Sequence, residues 1–129
     1  MGNPSDRKYT KDHEWCKMEG GTAVVGITDF AQHSLTDIVF AELPKVGAKV
    51  KQGAQLCVVE SVKSVSDVFA PVSGEVIEAN KGLEKKPGLL NSDAFGEGWI
   101  AKIKPSNLKE LDALMDSAKY AEFTEKGKK

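Results

Sequence analysis

Cysteine and histidine are scarce in this chain. The two cysteines, Cys16 and Cys57, stand 41 positions apart, and the two histidines are His13 and His33. There is no CxxC and no Cys/His cluster, which argues against zinc and thioredoxin-like chemistry. Two free thiols in strands are expected rather than a disulfide. Charge of one sign is also lacking: 18 Lys and Arg face 19 Asp and Glu, a net charge of −1. The basic surplus of a nucleic-acid binder is absent. No apolar run approaches the ~20 residues of a membrane span. The opening Met1-Gly2-Asn3-Pro4-Ser5-Asp6 has no apolar signal region. The expectation is a monomer with neither membrane nor nucleic-acid partner. Its compartment would be reducing: the cytoplasm, or the mitochondrial matrix for a mature eukaryotic chain. GxSxG, HExxH, a Walker A loop and GxGxxG are all missing. Gly96-Glu97-Gly98 is a lone GxG before a strand, hence a turn. A self-sufficient hydrolase or dehydrogenase has little to stand on, and a non-catalytic role is expected.

What is present fits one domain of 129 residues, with a core over about 9–123 and loose tails at 1–8 and 125–129. Twelve glycines and five prolines suit many short turns and therefore many strands. Gly20-Gly21 between two apolar runs reads as a hairpin, because paired glycines supply the positive φ of a tight primed turn. Thr28 reads as the N-cap of a short helix over 29–35. Strands follow at 37–43, 48–51, 54–62, 64–70, 75–79 and 99–104, with a looser stretch from Asn80 to Asn91. Turns this frequent indicate a compact β-sandwich or flattened barrel. Asn107 with Glu110 three residues on resembles a capping box, and Leu108, Leu111, Met115 and Ala118 follow helical spacing. That pattern predicts one C-terminal helical segment packed on the sheet.

Chemistry concentrates around Lys63. Two apolar strand patterns flank Ser61-Val62-Lys63-Ser64, and folding them as a hairpin puts Lys63 at or near the tip, with its ammonium in water. A lysine on a rigid projecting turn is within reach of another enzyme's active site, as covalent attachment of a group-carrying cofactor requires. Taken alone, such a lysine usually serves only to solubilise the surface.

The wider pattern is more specific. Glu60-Ser61-Val62-Lys63 resembles the lipoylation site of the glycine cleavage system H-protein family. Further matches run in order from about Tyr9 to Phe123. They include His13-Glu14-Trp15, Val25-Gly26-Ile27-Thr28, Asp37-Ile38-Val39-Phe40, Leu43-Pro44, Pro71-Val72-Ser73-Gly74-Glu75-Val76, Asn91-Ser92-Asp93 and Gly96-Glu97-Gly98-Trp99. The resemblance implies a mostly β, lipoyl/biotinyl-type flattened barrel (a barrel-sandwich hybrid) of two small antiparallel sheets with short peripheral helices. It implies lipoic acid in amide linkage on Lys63. The arm would carry the aminomethyl group of glycine from the pyridoxal-phosphate-dependent glycine decarboxylase to the tetrahydrofolate-dependent aminomethyltransferase. Dihydrolipoamide dehydrogenase would then reoxidise the dithiol.

On the same resemblance, Glu14 and Asp67 belong to a cleft that holds the cationic aminomethyl-lipoyl group by charge-assisted hydrogen bonds; Asp12, at a neighbouring position that some members fill with a hydroxyl residue, either adds a third carboxylate or faces solvent. Glu60 would help lipoylating enzymes recognise the turn. Two departures stand out. Thr36 occupies a position where the family usually has glycine, in the turn after the short helix, and would be strained if that turn needs positive φ. Ala94-Phe95 replaces the more usual Pro-Tyr. Among alternatives, a biotin carrier presents Met-Lys-Met where this chain has Val62-Lys63-Ser64. Acyltransferase lipoyl domains usually present Asp-Lys-Ala within long chains. An H-like protein that mainly relays lipoyl groups to other complexes, and a structural barrel with an unmodified lysine, both remain compatible with the residues.

Overall fold

The computed structural model describes residues 3–127; Met1, Gly2, Lys128 and Lys129, assigned to the tails from sequence, lie outside them. The chain builds two antiparallel sheets. Strands β1 (Lys8–Tyr9), β2 (Glu14–Glu19), β3 (Thr22–Ile27), β5 (Lys49–Val50), β8 (Gly74–Ala79) and β9 (Ala101–Pro105) form a six-stranded sheet in the order β1-β2-β3-β9-β8-β5. The others, β4 (Ile38–Glu42), β6 (Gln55–Ser61) and β7 (Val65–Phe69), form a three-stranded sheet in the order β4-β6-β7. Val25, Val76 and Ile103 of the larger sheet meet Val59 and Val68 of the smaller in one buried cluster. Cys16 and Cys57 are buried there as free thiols.

Local chemistry explains several elements directly. Glu19 pairs with Thr22 across Gly20-Gly21, and Gly20 takes φ 63°, as the glycine pair predicts. Helix α1 runs over Asp29–Leu35, with the Thr28 hydroxyl accepting from the Ala31 N–H. Trp15 lies opposite Gly26 in the β2–β3 register. A Cβ at Gly26 would stand 2.6 Å from the indole, so only glycine admits the ring. The Trp15 indole N–H donates to the Ala94 carbonyl at 3.0 Å.

The other face of β2 and β3 has its own cover. Helix α4 (Ser117–Gly127) lays Tyr120 parallel on Tyr9, with ring centroids 4.7 Å apart. The Tyr120 hydroxyl bonds both His13 Nδ1 and Thr28 Oγ1 at 2.7 Å. Helix α4 is thereby tied to the β1–β2 loop and to the start of α1. Arg7 stacks over Trp15 at 4.6 Å and donates to the Phe95 carbonyl, so the segment before β1 packs on the sheet as well.

Three expectations about local structure change. The helical stripe from Leu108 to Ala118 is broken. Leu108–Ala113 is a 3-10 turn, Leu114 is extended, and Met115 exchanges two backbone hydrogen bonds with Tyr9 before α4 begins. Asn107 caps its turn, but Glu110 bonds the backbone N–H and hydroxyl of Ser73 rather than reaching back. A tertiary partner has overridden the local box. The looser stretch from Asn80 contains two four-residue helices, α2 (Gly82–Lys85) and α3 (Leu89–Ser92), which bury Leu83 and Leu90. Helices this short are unfavourable alone and exist through that burial. Finally, β9 starts at Ala101 because Trp99 still belongs to the turn after Gly96.

Thr36 takes φ 65° and ψ −146° at the C-cap of α1. This is a region that suits glycine and strains a β-branched residue by roughly 1–3 kcal/mol. Its backbone is held on both sides: its N–H donates to the Gln32 carbonyl, and its carbonyl accepts from Asn91. Thr36→Gly keeps both bonds and is expected to raise stability by about 1 kcal/mol in urea unfolding, after the entropy cost of glycine. A lower unfolding midpoint would show that the threonine conformation is not strained.

Candidate functional site

The β6–β7 hairpin ends in a tight turn held by one hydroxyl. The Ser61 N–H donates to the Ser64 carbonyl at 2.8 Å. Ser61 Oγ accepts from the backbone N–H of Lys63 and of Ser64, and donates to the Ser64 carbonyl. A short hydroxyl side chain at the first position of a turn commonly plays this part; its role here was not read from the sequence. The Val62 N–H donates to the Asp37 carbonyl at 3.0 Å, anchoring the tip to the approach to β4.

Lys63 is exposed at that tip, and no ion pair among the described residues claims its ammonium. Exposed apolar side chains lie on this hairpin and on β4 beside it in the sheet. Val39, Phe40, Val62 and Val65 are each about half exposed or more. Glu60 is half-buried among them, with Phe40 and Val65 as its cross-strand partners.

Glu14 lies elsewhere, on the floor of a cleft of about 450 Å³ whose walls include Asp12, Phe69, Pro71, Met115 and Phe123. It is one of the few polar side chains the fold buries, at 2% exposure. The Thr10 hydroxyl donates to Oε1 at 2.5 Å and the Phe69 N–H donates to Oε2 at 3.1 Å. Phe69 ends β7, an edge strand of the smaller sheet. The carboxylate therefore stitches the larger sheet to that edge. Burial pushes the Glu14 carboxyl up to about 7, against the pull of the Thr10 and Phe69 donors; the nearby Asp12 charge adds to the rise.

The cleft brings Asp12 beside Glu14. Asp67 stands apart from this pair. It is exposed, and its carboxylate accepts from the Gln55 amide at 2.8 Å. Since alternate strand residues share a face, Val65, Asp67 and Phe69 share the outward side of β7. Asp67 thus sits midway along the strand that joins the Lys63 tip to the cleft. Thr10, Phe69 and the α4 residue Phe123 complete the cleft without having been assigned to it from sequence. Only the Thr10-x-Asp12 spacing, which permits a local hydroxyl-to-backbone turn, carried a signal.

Residues 7–127 match the family model described as glycine cleavage H-protein. The chain is 55% identical to the glycine cleavage system H protein of Symbiobacterium thermophilum over 124 residues, covering 96% of this chain and 97% of that one. It is 53% identical over 125 residues to the protein of that name from Thermus thermophilus, covering 97% and 98%. The crystal structure of a glycine cleavage system H protein from Mycobacterium marinum superposes with a TM-score of 0.87 at 38% identity, covering 95% of this chain and 98% of the other. Sheet arrangement, lysine-tipped hairpin and near-complete coverage agree: the chain belongs to the glycine cleavage H-protein family.

Proposed function

We propose that this protein is the lipoyl carrier of the glycine cleavage system, with lipoic acid amide-linked to Lys63. The observation that carries the reading is the exposed lysine on a turn fixed by Ser61 and anchored to Asp37. The residues fit the group. An amide on Lys63 would bury no charge and break none of the ion pairs among the described residues. When bound, the lipoyl group supplies a dithiolane that accepts an aminomethyl unit and two electrons. The protein itself makes and breaks no bond: the tip presents the arm, and the cleft shelters its cargo.

Lipoylating enzymes, glycine decarboxylase, the aminomethyltransferase and dihydrolipoamide dehydrogenase would each approach the same tip. The exposed Val39, Phe40, Val62 and Val65 give them an apolar footing, and Glu60 offers the lipoylating enzyme a carboxylate near the acceptor. Glu14, with Asp12 on the cleft wall, would bind the cationic amine of the cargo and keep water from it. A cation arriving there favours the ionised carboxylate and draws its pKa below about 7. Asp67 would act on the way between tip and cleft. A single unit with its core at about 9–123 is sufficient for all of this.

Lys63→Arg is expected to change stability by less than ~0.5 kcal/mol and to abolish support of glycine–bicarbonate exchange by the decarboxylase; retained exchange would remove Lys63 from the reading. Fully lipoylated protein that fails the same assay would favour a relay of lipoyl groups to other complexes. Glu14→Gln should leave lipoylation intact and speed release of the aminomethyl group at neutral pH. An unchanged release rate would take Glu14 out of the cleft's function. The raised Glu14 pKa also has a stability signature. The folded protein holds this proton more tightly than the unfolded chain, so its contribution is full below about 4.5 and fades as pH rises through about 7. Urea midpoints across that window should fall more steeply for the native sequence than for Glu14→Gln; parallel curves would contradict the assignment.

A further inference from the structure

The Thr10 hydroxyl has one hydrogen and two lone pairs, and the structure occupies all three. Backbone N–H groups of Asp12 and Glu14 donate to Thr10 Oγ1 at 3.2 and 3.1 Å. With both lone pairs taken, the hydrogen is directed to Glu14 Oε1, 2.5 Å away. The hydroxyl can face that oxygen only as a donor. Glu14 Oε2 accepts from the fixed Phe69 N–H. One acceptor position is then left on each carboxylate oxygen. Glu14 is 2% exposed and lines the cleft.

We propose that Thr10 is a positioning residue, whose hydroxyl locks the Glu14 carboxylate so that its remaining acceptor positions serve a cationic group entering the cleft. The proposal rests on the carrier reading for the identity of that cation, but the lock itself is a property of this chain alone. Its physical role is to oppose burial. A buried carboxyl without fixed donors takes up a proton and becomes a poor partner for an ammonium group.

The other ionisable groups around Glu14 leave this task to Thr10. Asp12, on the same loop, works against ionisation. Cys57 on β6 and Tyr120 on α4 are both pushed up to about 12 by burial and stay neutral. His13, next in the chain, is lowered by burial. Lys11 and Tyr9 stand on the cleft wall, and neither is a hydrogen-bond donor to the carboxylate among the described residues.

The test compares Thr10→Val, which keeps the shape and removes the hydroxyl, with Thr10→Ser, which keeps the hydroxyl. The first readout is the titration of the Glu14 carboxyl by carbon NMR in the unlipoylated protein, which needs no cofactor. Thr10→Val should shift it upward by about one unit, the expected loss of one hydrogen bond to a charged group, and Thr10→Ser should restore it. The second readout is aminomethyl release from lipoylated, loaded protein. Thr10→Val should speed release several-fold at pH 7, with less effect at pH 9, and add nothing in a Glu14→Gln background. An unmoved Glu14 titration in folded Thr10→Val would overturn the proposal, even if Glu14→Gln still speeds release and so upholds the carrier reading. A shifted titration with release unaffected by either Glu14→Gln or Thr10→Val would uphold the lock and overturn the role of the cleft. Should Thr10→Val fail to fold, Thr10→Ser and Thr10→Ala are titrated instead, and equal Glu14 values in the two would again overturn the lock.

Discussion

The register between β6 and β7 decides what this molecule can do. Val59 pairs with Ser66, and Cys57 with Val68, so Val59 and Val68 both enter the core. A slip by one residue would turn those side chains outward and carry polar ones in. Burying a valine is worth roughly 1.5–3 kcal/mol, so the core fixes the pairing, and the pairing fixes which residues occupy the turn. The lysine is presented because valines several residues away cannot leave the interior. Ser61 then freezes the turn itself. Packing supplies the scaffold, a single hydroxyl supplies the local rigidity, and the lysine is left exposed at the tip.

The second organising feature is a carboxylate where apolar side chains would normally be. Burying Glu14 is costly unless its oxygens are bonded, and the fold provides a donor on each side, from the loop before β2 and from β7. This makes the cleft floor part of the architecture, since the same bonds that satisfy Glu14 join the larger sheet to the edge of the smaller. Helix α4 closes the arrangement from outside through Tyr120 and Phe123. Tip and cleft lie at opposite ends of one strand, β7, whose outward side presents Val65, Asp67 and Phe69. The geometry suits a tethered group that alternates between solvent and shelter.

Much of this is legible in the amino-acid sequence. Gly20-Gly21, the Thr28 cap and the apolar strand patterns act through neighbours close in sequence, and the strands and α1 emerge from them with small shifts at their ends. The strain at Thr36 was signalled only conditionally, by the glycine that the family usually has there, since β-branched residues tolerate positive φ poorly. What escaped was set by distant partners. The helical spacing from Leu108 to Ala118 is real, but Met115 gains more from pairing with Tyr9 than from continuing a helix. Glu110 finds Ser73 across the fold instead of its own cap. Helices α2 and α3 carry too few residues for periodicity to register. At the site, the exposed tip position of Lys63 followed from the hairpin pattern, whereas Glu14 entered only through the family resemblance. Their separation by the length of β7, and the bond from the Phe69 N–H to Glu14, exist only once β2 and β7 are brought together.

The proposed role of Lys63 as an acceptor that serves other enzymes is the claim on which the account of tip, strand and cleft depends. Mass spectrometry of the protein isolated from its native cell, intact and after proteolysis, tests it most directly. The expected result is one added lipoyl mass, confined to the peptide that contains Lys63. A native chain without that mass, or with it on another lysine, would contradict it.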